Sequence, residues 1–109
     1  MIESLVGTLN KERVLVFLLC REEGYAREIA EFYKIPLTPV INQLKILENG
    51  SIIYAQLRGR TKIYEFNPRY PFLEELKNLI EKVVSFYPEE IIKELQYNRR
   101  RPRRTNKIL

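Results

Sequence analysis

Thr38, Asn42, Lys45 and Asn49 recur at spacings of three, four and seven residues, with Gln43 beside them. At 100° per residue such a set gathers on one side of a helix. Carboxamides both donate and accept hydrogen bonds, the capacity needed to tell apart the edges of stacked bases. A helix meant only to be soluble would more often present Glu/Lys pairs. Here one lysine stands among short uncharged groups and Ile46. The opposite side carries Val40, Leu44 and Leu47, with Leu37 and Ile41 at its margins, so it must pack on a core. Thr38 is placed to act as N-cap, Pro39 to occupy the first helical position, and Gly50 to close the far end in a left-handed conformation. The spacing therefore predicts a helix over 38–49, about three turns long.

Other chemistries find little to work with. The chain has no histidine, no aspartate and a single cysteine, Cys20, so no Cys/His metal constellation and no internal disulfide are expected. Cys20 falls in an apolar helical stretch and reads as a small buried hydrophobe. There is no Gly-rich phosphate loop and no nucleophile beside a base. The pairs Glu74-Glu75 and Glu89-Glu90 read as first-turn helix charges. An enzyme, a metal or another cofactor is not expected.

With 109 residues, 45% of them hydrophobic, the chain can build one domain with one modest core. No apolar run approaches the roughly 18 residues of a membrane span, and the N-terminus lacks a basic region before an apolar stretch, so a cytoplasmic protein is the expectation. The net charge of +5 is unevenly placed. Arg99, Arg100, Arg101, Arg103, Arg104 and Lys107 give residues 98–109 a charge of +6, leaving −1 for residues 1–97. Within that body, residues 1–37 carry −1, residues 38–70 carry +3 and residues 71–97 carry −3. The positive part is the amide-bearing helix together with the segment after it.

The remaining elements must position that helix. From Glu3 to Glu23 apolar residues have helical spacing, with a break near Gly7 to Asn10, where Asn10 can cap a second piece from Lys11; Val14, Phe17 and Leu18 are core candidates and Gly24 ends the helix. Residues 25–33 read as a short helix with Ile29, Ala30 and Phe32 or Tyr33 inward, and Lys34-Ile35-Pro36 forces a turn. Two short helices joined by about four residues form a helix-turn-helix. Residues 51–54 and 61–66 favour strands. The segment between them, with Arg58 and Arg60 flanking Gly59, makes a hairpin with an arginine on each side of its tip.

In this order, residues 11–70 resemble the winged helix-turn-helix transcription regulators of the arsenical-repressor and multiple-antibiotic-resistance-regulator type. The residues that carry the resemblance are Ala26-Arg27-Glu28-Ile29-Ala30, Val40, Leu44-Lys45-Ile46-Leu47-Glu48, Ile52 and Gly59-Arg60-Thr61-Lys62-Ile63-Tyr64. The resemblance implies an α+β, mostly helical fold, with residues 1–70 as a DNA-binding winged domain. It implies that helix 38–49 enters the major groove of double-stranded DNA, placing Thr38, Asn42 and Gln43 at base edges and Lys45 at a phosphate. It implies that the wing, 55–62, lies on the backbone or minor groove through Arg58, Arg60 and Lys62. Gly50-Ser51 departs from the family's usual Ala-Gly, and the family's metal-binding Cys, His and Asp clusters have no counterpart. A small-molecule effector leaves no legible motif.

Beyond Asn67-Pro68, residues 70–86 read as a long helix whose apolar stripe exceeds what a small core needs. Phe72, Leu76, Leu79, Ile80, Val83 and Phe86 are its candidate homodimer interface, since related regulators pair through C-terminal helices. Residues 71–97 are thus expected to be a dimerising helical extension, with a last short helix from Glu89 to Tyr97. Residues 98–109 form a basic tail, expected to be disordered alone and to add affinity for DNA without sequence preference through Arg99, Arg100, Arg101, Arg103 and Arg104. RNA, an acidic protein surface or an anionic membrane would satisfy the same charge. The functional expectation is a dimeric DNA-binding transcriptional regulator of repressor type. Its competitor is a winged-helix scaffold for protein or RNA, since fold does not fix function.

Overall fold

The computed structural model describes residues 1–97. Six helices and a two-stranded antiparallel sheet follow in the order α1 (Glu3–Val6), α2 (Leu9–Arg21), α3 (Ala26–Tyr33), α4 (Leu37–Asn49), β1 (Ile53–Arg58), β2 (Thr61–Phe66), α5 (Leu73–Val84) and α6 (Glu89–Tyr97). The packing hub is α2, which touches every other helix and β2. Its run Val14-Leu15-Val16-Phe17-Leu18 is buried on all sides, as a helix apolar around its circumference must be. Each such side chain taken from water contributes about 1.5–3 kcal/mol. Ile29 and Ala30 of α3, Val40, Leu44 and Leu47 of α4, Ile80 and Val83 of α5, Leu95 of α6 and Cys20 form the rest of the core's helical part, and Ile53 of β1 joins them.

Local chemistry sets the boundaries, and several differ from the sequence expectation. The first break lies earlier than Asn10: Thr8, not Asn10, caps α2, its hydroxyl accepting the Lys11 N–H at 3.0 Å. That helix ends at Arg21, before Gly24, with Glu22 left-handed at φ 77°. Helix α4 begins at Leu37 with Pro36 as its N-cap residue, so Thr38 is not the cap and Pro39 sits two positions further in. The missing proline N–H still costs nothing there, because the first four N–H groups of a helix have no internal acceptor. Gly50 has φ −83°, and the left-handed residue is Ser51 at φ 63°.

Gly24 has a different task from ending a helix. Its N–H donates to the Tyr64 carbonyl at 3.1 Å and its carbonyl accepts the Tyr64 N–H at 2.7 Å, so the α2–α3 connection lies along β2 as a single bridging rung. A Cβ here would come within 2.7 Å of the Phe17 ring, which explains the glycine at a point of close backbone approach.

Strand β1 continues through Arg58, beyond the residue 54 expected, and pairs with β2 from Ile53↔Phe66 to Arg58↔Thr61. The connection is therefore the two residues Gly59-Arg60, with Gly59 at φ 64° supplying the positive φ of a tight hairpin. Tyr64 and Phe66 join the core; Ile63, also buried, lies outside that cluster. Helix α5 is shorter at both ends than the predicted 70–86.

Candidate nucleic-acid interface

Helix α4 presents the outer face that its periodicity predicted. Val40, Leu44 and Leu47 hold it to the core, and Thr38, Asn42, Lys45, Ile46 and Asn49 are exposed. Because α2, α3 and β1 all pack against α4, that face is presented by a rigid support. Gln43 differs from its neighbours: it lies half-buried on the flank, and its Oε1 is enclosed without a hydrogen-bond partner. Its amide belongs partly to the packing boundary, whereas the Asn42 side chain stands on the open face.

The wing projects directly after α4. Arg60 is exposed in the turn. Lys62 is also exposed, its Nζ in a long ion pair 3.8 Å from Glu48 Oε1 and 5.6 Å from the centre of the Tyr64 ring, with 54% of its side chain open to solvent. Arg58 behaves differently. Its Nη1 donates to Glu23 Oε2 at 2.6 Å and its Nη2 to Glu23 Oε1 at 2.9 Å, a two-pronged pair between a carboxylate of 0% exposure and a guanidinium of 46% exposure. Arg58 thus holds the base of the turn to the α2–α3 connection, one residue before Gly24 bridges to Tyr64. The sequence grouped Arg58 with Arg60; the structure separates them into a wing anchor and an open tip. Nothing local announces Glu23 as that partner, since the two residues lie 35 apart in the chain.

The wing tip and the α4 face bring Thr38, Asn42, Lys45, Arg60 and Lys62 onto exposed surfaces of adjoining elements. The tail arginines Arg99, Arg100, Arg101, Arg103 and Arg104 lie outside the described residues. No group of three or more His, Cys, Asp or Glu side chains that could hold a metal occurs among the described residues, and none of their helices is long and apolar enough to cross a membrane.

Of the expected dimer-interface residues, Ile80 and Val83 are core residues of the single chain, 0% and 3% exposed. They pack against α2 and its neighbours and are not available to a partner, which corrects their assignment. Leu76 is half-buried against the same core. Phe72 and Phe86, 63% and 65% exposed, face outward with Leu79 half-exposed between them.

No family model matches the chain, and no curated protein matches it by sequence. Solved structures do match. A doubly substituted mutant of ZitR from Lactococcus lactis, in apo form, superposes with a TM-score of 0.54 at 23% identity, over 75% of this chain and 65% of that one. A second structure of the same mutant gives 0.55 at 24% identity, over 83% and 64%. The adhesin competence repressor AdcR from Streptococcus pyogenes gives 0.52 at 12% identity, over 88% and 81%. The fold is a winged helix-turn-helix. In this winged helix, α3 and α4 are the helix-turn-helix and β1–β2 the wing, as the sequence resemblance implied. The chain spans just under two thirds of the ZitR chains that it resembles, and at these identities the likeness establishes architecture alone.

Proposed function

We propose that the protein is a sequence-specific double-stranded DNA-binding regulator of transcription, a repressor rather than an enzyme. The observation that carries this reading is the outer face of α4, an exposed, amide-bearing, acid-free strip held rigidly on a helix-turn-helix and flanked by a wing with Arg60 at its tip. In the reading, α4 lies in the major groove, where Asn42 and Thr38 hydrogen-bond to base edges and Gln43 reaches from the flank. Lys45, Arg60 and Lys62 neutralise phosphates, which position the protein but do not themselves select a sequence. The basic residues after Asn98 add further charge. AdcR, by its name a repressor, supports the choice of repression by analogy of fold.

The regulator works as a homodimer in this reading, so that two α4 helices meet half-sites about 34 Å apart. Phe72, Leu79 and Phe86 are spaced by seven residues, which sets them on one stripe of α5 and its ends. That stripe supplies the interface, with Leu76 at its edge. Sedimentation equilibrium of Leu79→Glu is expected to show a monomer; an unchanged dimer places the interface elsewhere.

The test of the main reading is fluorescence anisotropy with the duplex upstream of the protein's own gene and with a scrambled duplex, across a range of salt. Preference for the native duplex is expected. Equal binding to both favours the scaffold alternative, in which the winged domain docks protein or RNA.

A further inference from the structure

Ile46 is out of place by the logic of folding. It is 50% exposed, and it stands within the polar strip of α4. At 100° per residue it is 40° from Asn42 and 60° from both Asn49 and Gln43, and between about 100° and 160° from the buried residues Leu47, Val40 and Leu44, which puts it at the edge of the outer face. Its side-chain neighbours three and four residues away, Asn42, Gln43 and Asn49, are all carboxamides and none is apolar. A single exposed leucine or isoleucine needs no explanation on an ordinary surface. This one sits on the face that the proposed function turns toward DNA, among carboxamides, on an element whose Lys45 and following basic wing complement phosphate charge.

The major groove offers one apolar group, the C5-methyl of thymine, which presents itself next to the hydrogen-bonding O4 of the same base. A β-branched side chain is suited to meet it. Isoleucine is stiff at χ1 in a helix, so ordering it against a methyl costs little entropy. Asn42 is one turn away on the same strip, about 6 Å along the axis, which is close to two base-pair steps. We propose that Ile46 is a specificity-determining residue that packs on a thymine C5-methyl, fixing a T·A pair about two base-pair steps from the base read by Asn42. The inference rests on the DNA-binding reading above and deepens it by naming a base.

The experiment begins with selection of the bound sequence from a randomised duplex pool by the full chain. Each thymine of the selected site is then replaced singly by deoxyuridine, which removes only the methyl group, and affinities are measured for the wild type, Ile46→Val and Ile46→Ala. At one thymine per half-site, deoxyuridine should weaken wild-type binding about fourfold, the worth of one buried methyl-sized group. Ile46→Val, which keeps the branched methyls, should retain that sensitivity. Ile46→Ala should bind the thymine and deoxyuridine duplexes equally. Indifference of the wild type to every replacement overturns the inference, as does an undiminished methyl effect in Ile46→Ala. Selection that enriches no sequence is a different failure, because it removes the sequence-specific reading itself and the inference with it.

Discussion

Arg58 of the wing and Glu23 of the α2–α3 connection form a two-pronged ion pair, 2.6 and 2.9 Å, that fastens the hairpin to the helix-turn-helix. A carboxylate with no exposure must be paired to be tolerated, and the bidentate geometry of arginine is suited to do so. Two arginines flanking one glycine therefore differ in role. Arg58→Ala should lower stability by about 1.5–3 kcal/mol in urea denaturation, the range for hydrogen bonds to charged groups. Arg60→Ala should stay within about 0.5 kcal/mol, as surface substitutions do. Its slope of log affinity against log salt should nevertheless be shallower by about 0.9, the share of one neutralised phosphate. Equal stability losses in the two variants would contradict the division.

Arg21 ties the C-terminal helix to the body. Its Nε donates to the Leu95 carbonyl at 2.9 Å and its Nη2 to that of Glu94 at 3.4 Å, while Glu28 Oε2 lies 3.3 Å from Nη1. The guanidinium also stands 4.7 Å from the Phe17 ring centre and 5.4 Å from that of Phe32. A positive group on the last carbonyls of a helix opposes its dipole favourably. Arg21→Met should cost about 2 kcal/mol or more. Hydrogen exchange should then accelerate in residues 89–97 before the rest of the protein. Uniform acceleration along the chain would show that Arg21 supports the core as a whole.

Gln43 offers a separation of folding from binding. Its enclosed Oε1 has no hydrogen-bond partner, and removing an unsatisfied polar atom relieves its desolvation cost. Gln43→Met, similar in volume and flexible, should be neutral or stabilising by up to about 1 kcal/mol. If the amide also reaches a base from the flank, the same variant should lose preference at one base position. A fall in stability would mean that the amide is satisfied in solution.

Tyr33 gives the fold a dependence on alkaline pH. Its hydroxyl donates to the Arg13 carbonyl at 3.0 Å, and burial, followed by the proximity of Tyr87, holds its phenol above the ordinary value of 10.0. The folded state thus keeps a proton that the unfolded chain releases near pH 10. The contribution to stability is complete below that pH and declines as pH rises above it, because there the unfolded state binds fewer protons. Tyr33→Phe should cost about 1 kcal/mol at neutral pH and flatten the decline of melting temperature at pH values above about 10. An unaltered alkaline limb would show that Tyr33 does not carry it, and Tyr87, whose phenol is also raised by burial, would be the next group to substitute.

The sequence was most informative where a periodic pattern meets a core. Val40, Leu44 and Leu47 fixed which side of α4 faces inward, and hence the exposure of Thr38, Asn42 and Lys45. The order of helix, turn, helix and basic hairpin was enough to name the winged fold. Caps were less legible, because Thr8 and Asn10 are both competent N-caps, and only the path of α1 into α2 decides between them. Ser51 took the left-handed position expected of Gly50, although glycine adopts it at lower cost. Ile80 and Val83 could not be distinguished from Phe72 and Phe86 by hydropathy, since which edge of an apolar stripe meets the body depends on how α5 docks on α2. The Glu23–Arg58 pair was invisible for the same reason: it exists only after the hairpin folds back onto the α2–α3 connection.

That the outer face of α4 reads a sequence is tested most directly by the ratio of affinities for the native and scrambled duplexes at physiological salt, measured for the wild type and for Asn42→Ala. A ratio of about 10³ or more is predicted for the wild type. In Asn42→Ala the ratio should shrink by the equivalent of about 1–3 kcal/mol for a bidentate base contact, while affinity for the scrambled duplex stays unchanged. A wild-type ratio near unity, or a ratio that Asn42→Ala leaves intact, would contradict sequence reading by this face.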